Sequence, residues 1–124
     1  PAFAPHAPYS LDEARLKQVA AEAEAAGVPL LMHVAEMADE VETFRKTRNQ
    51  TPVEYLEAIG VLSPRLLAAH AIFVTESDIA TLRRRDVGVA HAMVANIKSA
   101  KGVAPALSMF KQGVRVGLAT DGPM

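Results

Sequence analysis

Short runs of Val, Leu, Ile and Ala alternate along the chain with longer stretches whose apolar positions recur at helical spacing. This alternation predicts βα units around a parallel sheet. Five runs predict strands, at 1–4, 29–34, 66–72, 87–92 and 114–120. Between the first two, Ser10 predicts a helix start, Glu13 three residues on completes a capping box, and Gly27 predicts the stop. Leu11, Ala14, Leu16, Val19, Ala20 and Ala23 form the stripe expected to pack on the sheet, with Glu13, Lys17, Glu22 and Glu24 left to solvent. Further helices are predicted over 36–46, from Thr51-Pro52 to Gly60, over 77–85, and over 105–112 before Gly113. The sequence shows no fixed-period repeat, low-complexity segment or linker.

Composition narrows the setting. A length of 124 residues leaves room for one core and no second domain. With 50% hydrophobic and 22% charged residues, a buried core is feasible and wholesale disorder is excluded. Thirteen basic against fourteen acidic residues give a formal charge of −1, so no overall basic field draws nucleic acid or anionic lipid. The Arg83-Arg84-Arg85 run closes a predicted helix, where cations suit the negative end of the helix dipole. No apolar stretch approaches the roughly 20 residues that span a bilayer, and the start lacks a signal-peptide layout, so a cytoplasmic location is expected. The absence of Cys excludes disulfides, thiolate metal ligands and a cysteine nucleophile. Any metal must then be held by His, Asp, Glu or backbone oxygen.

Ionisable residues recur at equivalent places. His6 follows the first run, His33 ends Leu30-Leu31-Met32, His70 ends Leu66-Leu67-Ala68-Ala69, His91 follows Val87-Gly88-Val89-Ala90, and Asp121 follows Val116-Gly117-Leu118-Ala119-Thr120. In a parallel sheet these C-terminal ends lie on one side, so the five groups are expected to share a pocket. Any one of them alone reads as a hydrogen-bonded loop residue or a turn. Five after apolar strands point to a site, because burying an uncompensated charge is costly. Imidazole and carboxylate suit a divalent metal of the zinc, iron or manganese kind, which lowers the pKa of bound water toward 7. Asp121 can ligate such a metal or accept a proton from its water. Glu36, three residues after His33, can reach substrate and shuttle a proton. Metal-assisted hydrolysis is the expected chemistry.

The ordered set Pro5-His6-Ala7-Pro8-Tyr9-Ser10, His33-Val34-Ala35-Glu36, His70-Ala71 and Thr120-Asp121-Gly122 resembles the amidohydrolase superfamily. Within it, the set is similar to the methylthioadenosine/S-adenosylhomocysteine deaminase and triazine hydrolase branch. The resemblance extends over essentially the whole chain. It implies an α/β fold, a partial TIM (β/α)8 barrel of about strands four to eight with intervening helices. Residues 1–124 would be a fragment of a single barrel domain that lacks strands one to three. His33 and Asp121 would be metal ligands, Asp121 also taking a proton from the attacking water. Glu36 would contact the heterocycle, protonate its ring nitrogen and relay a proton to the leaving group. His70 would orient the metal-bound water, and His6 would contact substrate. The implied reaction is deamination of an adenosine-type nucleoside by metal-bound hydroxide, with one divalent metal, zinc first and iron or manganese as alternatives. The implied partner is a small heterocyclic substrate, with no nucleic acid and no membrane, and a homo-oligomer is compatible with the resemblance.

Two departures from the family pattern stand out. The His-x-His that supplies two further ligands at the end of barrel strand one is absent. With Pro1 in place of Met and an end directly after a strand-like run, this makes an excerpt of a longer chain the expectation. The strand-seven segment retains His91, Asn96 and Lys98 but has Met93 and Ala95 where the family carries Pro and Ser. Two alternatives stay open: a triazine-type dechlorinating hydrolase, and a non-catalytic α/β binding module whose strand-end His residues only hydrogen-bond nearby backbone. The isolated chain is expected to be inactive and prone to aggregate, because open parallel edges and bare inner faces would meet solvent.

Overall fold

The computed structural model describes residues 1–122; Pro123 and Met124, which close the expected segment, lie outside the described residues. Four strands, β1 (Leu30–Val34), β2 (Leu66–His70), β3 (Gly88–His91) and β4 (Arg115–Leu118), form one parallel sheet in chain order. The helices are α1 (Glu13–Ala26), α2 (Ala38–Arg48), α3 (Pro52–Ala58), α4 (Glu76–Arg84), α5 (Met93–Lys98) and α6 (Ala106–Lys111). Each pair of neighbouring strands is separated by helical sequence, the arrangement of consecutive βα units in a barrel.

Only one face of the sheet is covered. Register aligns Met32, Ala68, Val89 and Val116 in one row and His33, Ala69, Ala90 and Gly117 in the next. The first row joins Leu16, Phe44, Leu56, Ile79, Leu82 and Met109 in the core beneath the helices. The second row faces the other way, and β1 and β2 each alternate buried and half-buried along their length. A doubly wound sheet would carry helices on both faces. A singly wound sheet in sequential strand order is a portion of a (β/α)8 wall, with its inner face open.

Several predicted boundaries shift. The run at 1–4 is reduced to an isolated bridge between Phe3 and Leu30, although Leu31 N–H still donates to the Phe3 carbonyl at 2.8 Å. Ser10 does not cap α1. Its Oγ donates to the Ala7 carbonyl at 2.9 Å and accepts from Ala7 N–H at 3.0 Å, closing a turn. Asp12 takes the cap, its carboxylate accepting from Arg15 N–H at 2.8 Å. With the helix starting two residues later than expected, Leu11 and Ala14 fall outside the buried stripe, and Leu16 and Ala23 carry it. The Thr51-Pro52 start holds as a capping box with Glu54, and Thr75 with Asp78 makes a second one for α4. Arg84 and Arg85 both reach Glu57, at 2.8 and 3.0 Å, so the arginine run is a paired surface helix end. The short helix α5 is an addition to the elements predicted from sequence. Among the described residues, no helix is long and apolar enough to cross a membrane.

Candidate active site

Chain direction brings four strand ends and the N-terminal segment to one rim. Backbone pairing sets His6 beside β1, since His33 N–H donates to the His6 carbonyl at 3.0 Å. The His6 and His33 ring centroids are 5.0 Å apart, and those of His33 and His70 are also 5.0 Å apart. Below them a cavity of about 490 Å³ is lined by His6, Leu31, His33, Leu67, Ala69 and Ala90, the open inner face of the sheet.

Two tight exits aim the chemistry. After β1 the chain turns through Ala35 at φ 50°, and Glu40 on α2 holds the turn by accepting from Ala35 N–H at 3.1 Å and Glu36 N–H at 2.9 Å. Glu40 is buried, which pushes its carboxyl up from the ordinary range against the opposing pull of the backbone N–H groups of Ala35, Glu36 and Met37. After β2 the chain passes through two consecutive left-handed residues, His70 at φ 71° and Ala71 at φ 47°. Such a pair of non-glycine residues is costly and is held by its surroundings. Ala71 N–H donates to the Val34 carbonyl at 3.1 Å, and the N–H groups of Ile72 and Phe73 donate to the Ala35 carbonyl at 3.0 Å, so pairing between the two strands continues past their ends.

This geometry converges on Glu36, whose side chain is 9% exposed. Its carboxylate lies 3.6 Å from His33 Nδ1 and 3.4 Å from His70 Nε2, and Asp121 Oδ2 lies 3.7 Å from that same Nε2. Lys101, on the turn after α5, ion-pairs with Glu36. Burial acts to raise the Glu36 carboxyl, but the Lys101 contact, together with the neighbouring His70 and His33 imidazoles, outweighs it and holds the group below its ordinary value. Burial, with smaller contributions from His70 and His6, lowers the His33 imidazole, opposed by Glu36 and Asp121. A neutral His33 is the form that can donate a lone pair to a metal.

His33, Glu36 and His70 each offer a ligand atom within 4.8 Å of one another. His70 is fully buried, yet its Nε2 has no hydrogen-bond partner among the described residues. A buried ring nitrogen aimed between two carboxylates fits a site made for a metal ion or an ordered water. Of the residues expected at the rim, His6, His33, Glu36, His70 and Asp121 come together. His91 is buried with Nδ1 unpaired, and among the described residues it makes no ring contact or ion pair with this group. Sequence reasoning assigned no role to three contributors, of which only Asn96 was singled out, as a retained residue of the strand-seven segment. Glu40, Lys101 and Asn96 all touch the expected residues, Asn96 through a 2.7 Å contact between its Oδ1 and His70 Nδ1. The one signal for Glu40 was its spacing four residues beyond Glu36, within reach of the turn.

Comparison with known proteins places the chain in context. The model of the amidohydrolase family matches residues 1–124. A 5'-deoxyadenosine deaminase of Methanothrix thermoacetophila is 44% identical over 122 residues, 98% of this chain and 30% of that protein. A 5-methylthioadenosine/S-adenosylhomocysteine deaminase of Pelotomaculum thermopropionicum is 43% identical over 120 residues, 97% of this chain and 28% of that protein. A crystal structure of an adenosine deaminase from Xanthomonas campestris with bound zinc superposes with a TM-score of 0.91 at 34% identity, covering 96% of this chain and 27% of that one. The chain thus spans less than a third of the length of the curated relatives it matches.

Proposed function

Since the chain belongs to the amidohydrolase family, we propose that it is the part of a single barrel domain carrying barrel strands four to eight of a metal-dependent deaminase of adenosine-type nucleosides. The observation that carries this reading is the convergence of His33, Glu36, His70 and Asp121 at the ends of β1, β2 and β4, with an unpaired buried nitrogen among them. The deaminase names of relatives more than 40% identical support the substrate class.

His33 and Asp121 would hold one divalent metal; the donor pair suits zinc, iron or manganese, and the zinc in the Xanthomonas campestris structure supports zinc. When bound, that ion acidifies water toward neutral pH. The chain's own residues do the rest. Asp121 accepts a proton from the attacking water, and His70 orients that water through Nε2. Glu36, loaded with one proton of that water, delivers it to the ring nitrogen of the heterocycle and relays the second, taken up by Asp121, to the departing amine, which leaves as ammonia. Its position between the two imidazoles suits a proton relay, because it can reach both a donor and an acceptor without leaving the buried rim. Lys101 must yield Glu36 when the ring enters, since one carboxylate oxygen now faces the ammonium. His6, exposed at the mouth of the cavity, contacts the substrate.

The test is made on the full-length protein. Metal content is measured alongside release of ammonia from adenosine-type nucleosides and of halide from chlorinated triazines. One metal per chain, lost in His33→Ala or Asp121→Ala, together with ammonia release, bears the reading out. Halide release alone would move the activity to a dechlorinating hydrolase, and absence of both metal and turnover would leave a binding module.

A further inference from the structure

Asn96 lies on α5, 1% exposed, and its Oδ1 stands 2.7 Å from Nδ1 of the fully buried His70. On the far side of the same ring, Nε2 faces Glu36 Oε1 at 3.4 Å and Asp121 Oδ2 at 3.7 Å, with no hydrogen-bond partner among the described residues. We infer that Asn96 is a positioning residue that fixes the neutral tautomer of His70, with the proton on Nδ1 and the lone pair of Nε2 presented to the centre of the site.

A neutral imidazole has one N–H and one bare nitrogen, and an amide oxygen can only accept. Nδ1–H therefore donates to Asn96 Oδ1, and Nε2 is left as an acceptor. Three acceptors, Nε2 and one oxygen each of Glu36 and Asp121, then converge at separations too long for hydrogen bonds with one another. A bare Nε2 among these oxygens is complementary to a proton-bearing group or a cation. The opposite tautomer would aim an N–H at both carboxylates, tying them to the ring and turning a positive edge toward any cation. Asn96 thus sets the polarity of the pocket from a distance, as partners behind the ligands of metal centres do.

The build of α5 fits this role. The helix has six residues, lacks a capping side chain and buries only Ala95 and Asn96. Its closing turn is held by Lys101 N–H donating to the Asn96 carbonyl at 3.0 Å, with Ala100 at φ 54°. One short segment so delivers Asn96 to His70 and Lys101 to Glu36. The tautomer assignment rests on geometry alone, whereas its value to catalysis rests on the deaminase reading.

The experiment is long-range proton–nitrogen correlation NMR of the full-length protein with nitrogen-labelled histidine, metal-stripped and zinc-loaded. The His70 signals are assigned by their loss in His70→Gln, and kinetics are run in parallel. The expected wild-type pattern is Nδ1 protonated and Nε2 bare. Asn96→Asp, which keeps the acceptor and cannot donate, preserves that pattern and most of kcat. Asn96→Leu loses the pattern and lowers kcat by about 10–100-fold with KM little changed. A protonated Nε2 in the wild type or a bare Nδ1 in Asn96→Asp overturns the inference, as does Asn96→Leu with wild-type tautomer and kcat. Should Asn96→Leu fail to fold, the wild-type and Asn96→Asp spectra still decide. If Nδ1 is protonated yet no nucleoside is deaminated, the deaminase reading falls and the tautomer assignment stands.

Discussion

The helix pair α3 and α4 and the helix pair α5 and α6 flank neighbouring strands and differ in how their ends are secured. Thr51 and Thr75 each make a full capping box, and Thr51 Oγ1 donates to Asp78 Oδ1 at 2.6 Å in the interior, locking one helix start to the other. Neither α5 nor α6 has a side-chain cap, and Met93, Val94, Ile97, Leu107 and Phe110 all stand exposed on them. Yet α5 and its closing turn are the pair's contribution to the rim, through Asn96 and Lys101. Where the polar groups satisfy one another locally, the segment is stable and chemically silent. Where they are spent on a distant ring and carboxylate, local stability is what has been given up.

The largest effect that tests this division is on activity. Glu36→Gln in the full-length protein should lower ammonia release by about 10²–10⁴-fold, while the unfolding midpoint stays near wild type. Normal turnover in that variant would remove Glu36 from the chemistry and with it the purpose assigned to the α5 turn. Next comes Asp78→Ala. Its carboxylate accepts from Thr75 N–H, Thr75 Oγ1 and Thr51 Oγ1, so removal takes away the reciprocal half of one capping box and leaves a buried hydroxyl without its acceptor. A loss of about 2–4 kcal/mol in denaturant unfolding is expected, with kcat unchanged. A fall in kcat without a fall in stability would erase the contrast between the two pairs.

Glu40→Gln lies between these classes. The amide keeps one acceptor for two backbone donors, so a cost of about 1–2 kcal/mol is expected, together with a reduced kcat, because the Glu36 turn loses half its clamp. Kinetics and unfolding on one preparation check both at once. The smallest effect belongs to Lys101→Met and depends on pH. The Glu36 carboxyl is held below its ordinary 4.5 partly by Lys101. A depressed carboxyl contributes stability above its unfolded pKa and loses it as pH falls through the folded value. The stability gap between wild type and Lys101→Met in the metal-free protein should therefore be widest at neutral pH and close below the carboxylate range. A gap that widened in acid would contradict the pairing.

The sheet and most of its helices were legible because each apolar run is bounded by strong stops, and Thr51-Pro52 with Glu54 specifies a helix start outright. The first strand was overread, since four apolar residues at 1–4 carry propensity but only a single bridge partner in the fold. At the rim, His33 and Glu36 could be read from local spacing, as three residues across a strand exit bring them to 3.6 Å. Lys101 could not, because 65 residues separate it from Glu36 and only the closure of the α5 turn joins them. The left-handed pair His70 and Ala71 was equally hidden, for Ala does not advertise a positive φ and the modest preference of His does not single out one position.

That pair has a consequence for how such a site changes over generations. Because Ala71, Ile72 and Phe73 bond back to Val34 and Ala35, the two exits that carry His33, Glu36 and His70 are fastened directly to each other, with Glu40 in the first turn of α2 as their helical support. Insertions, deletions and drift beyond Glu40, from the end of α2 to α3, can therefore remodel the wall beside the pocket while the separation of His33, Glu36 and His70 stays constant. On the proposed deaminase reading, new substrates can be explored there without rebuilding the chemistry.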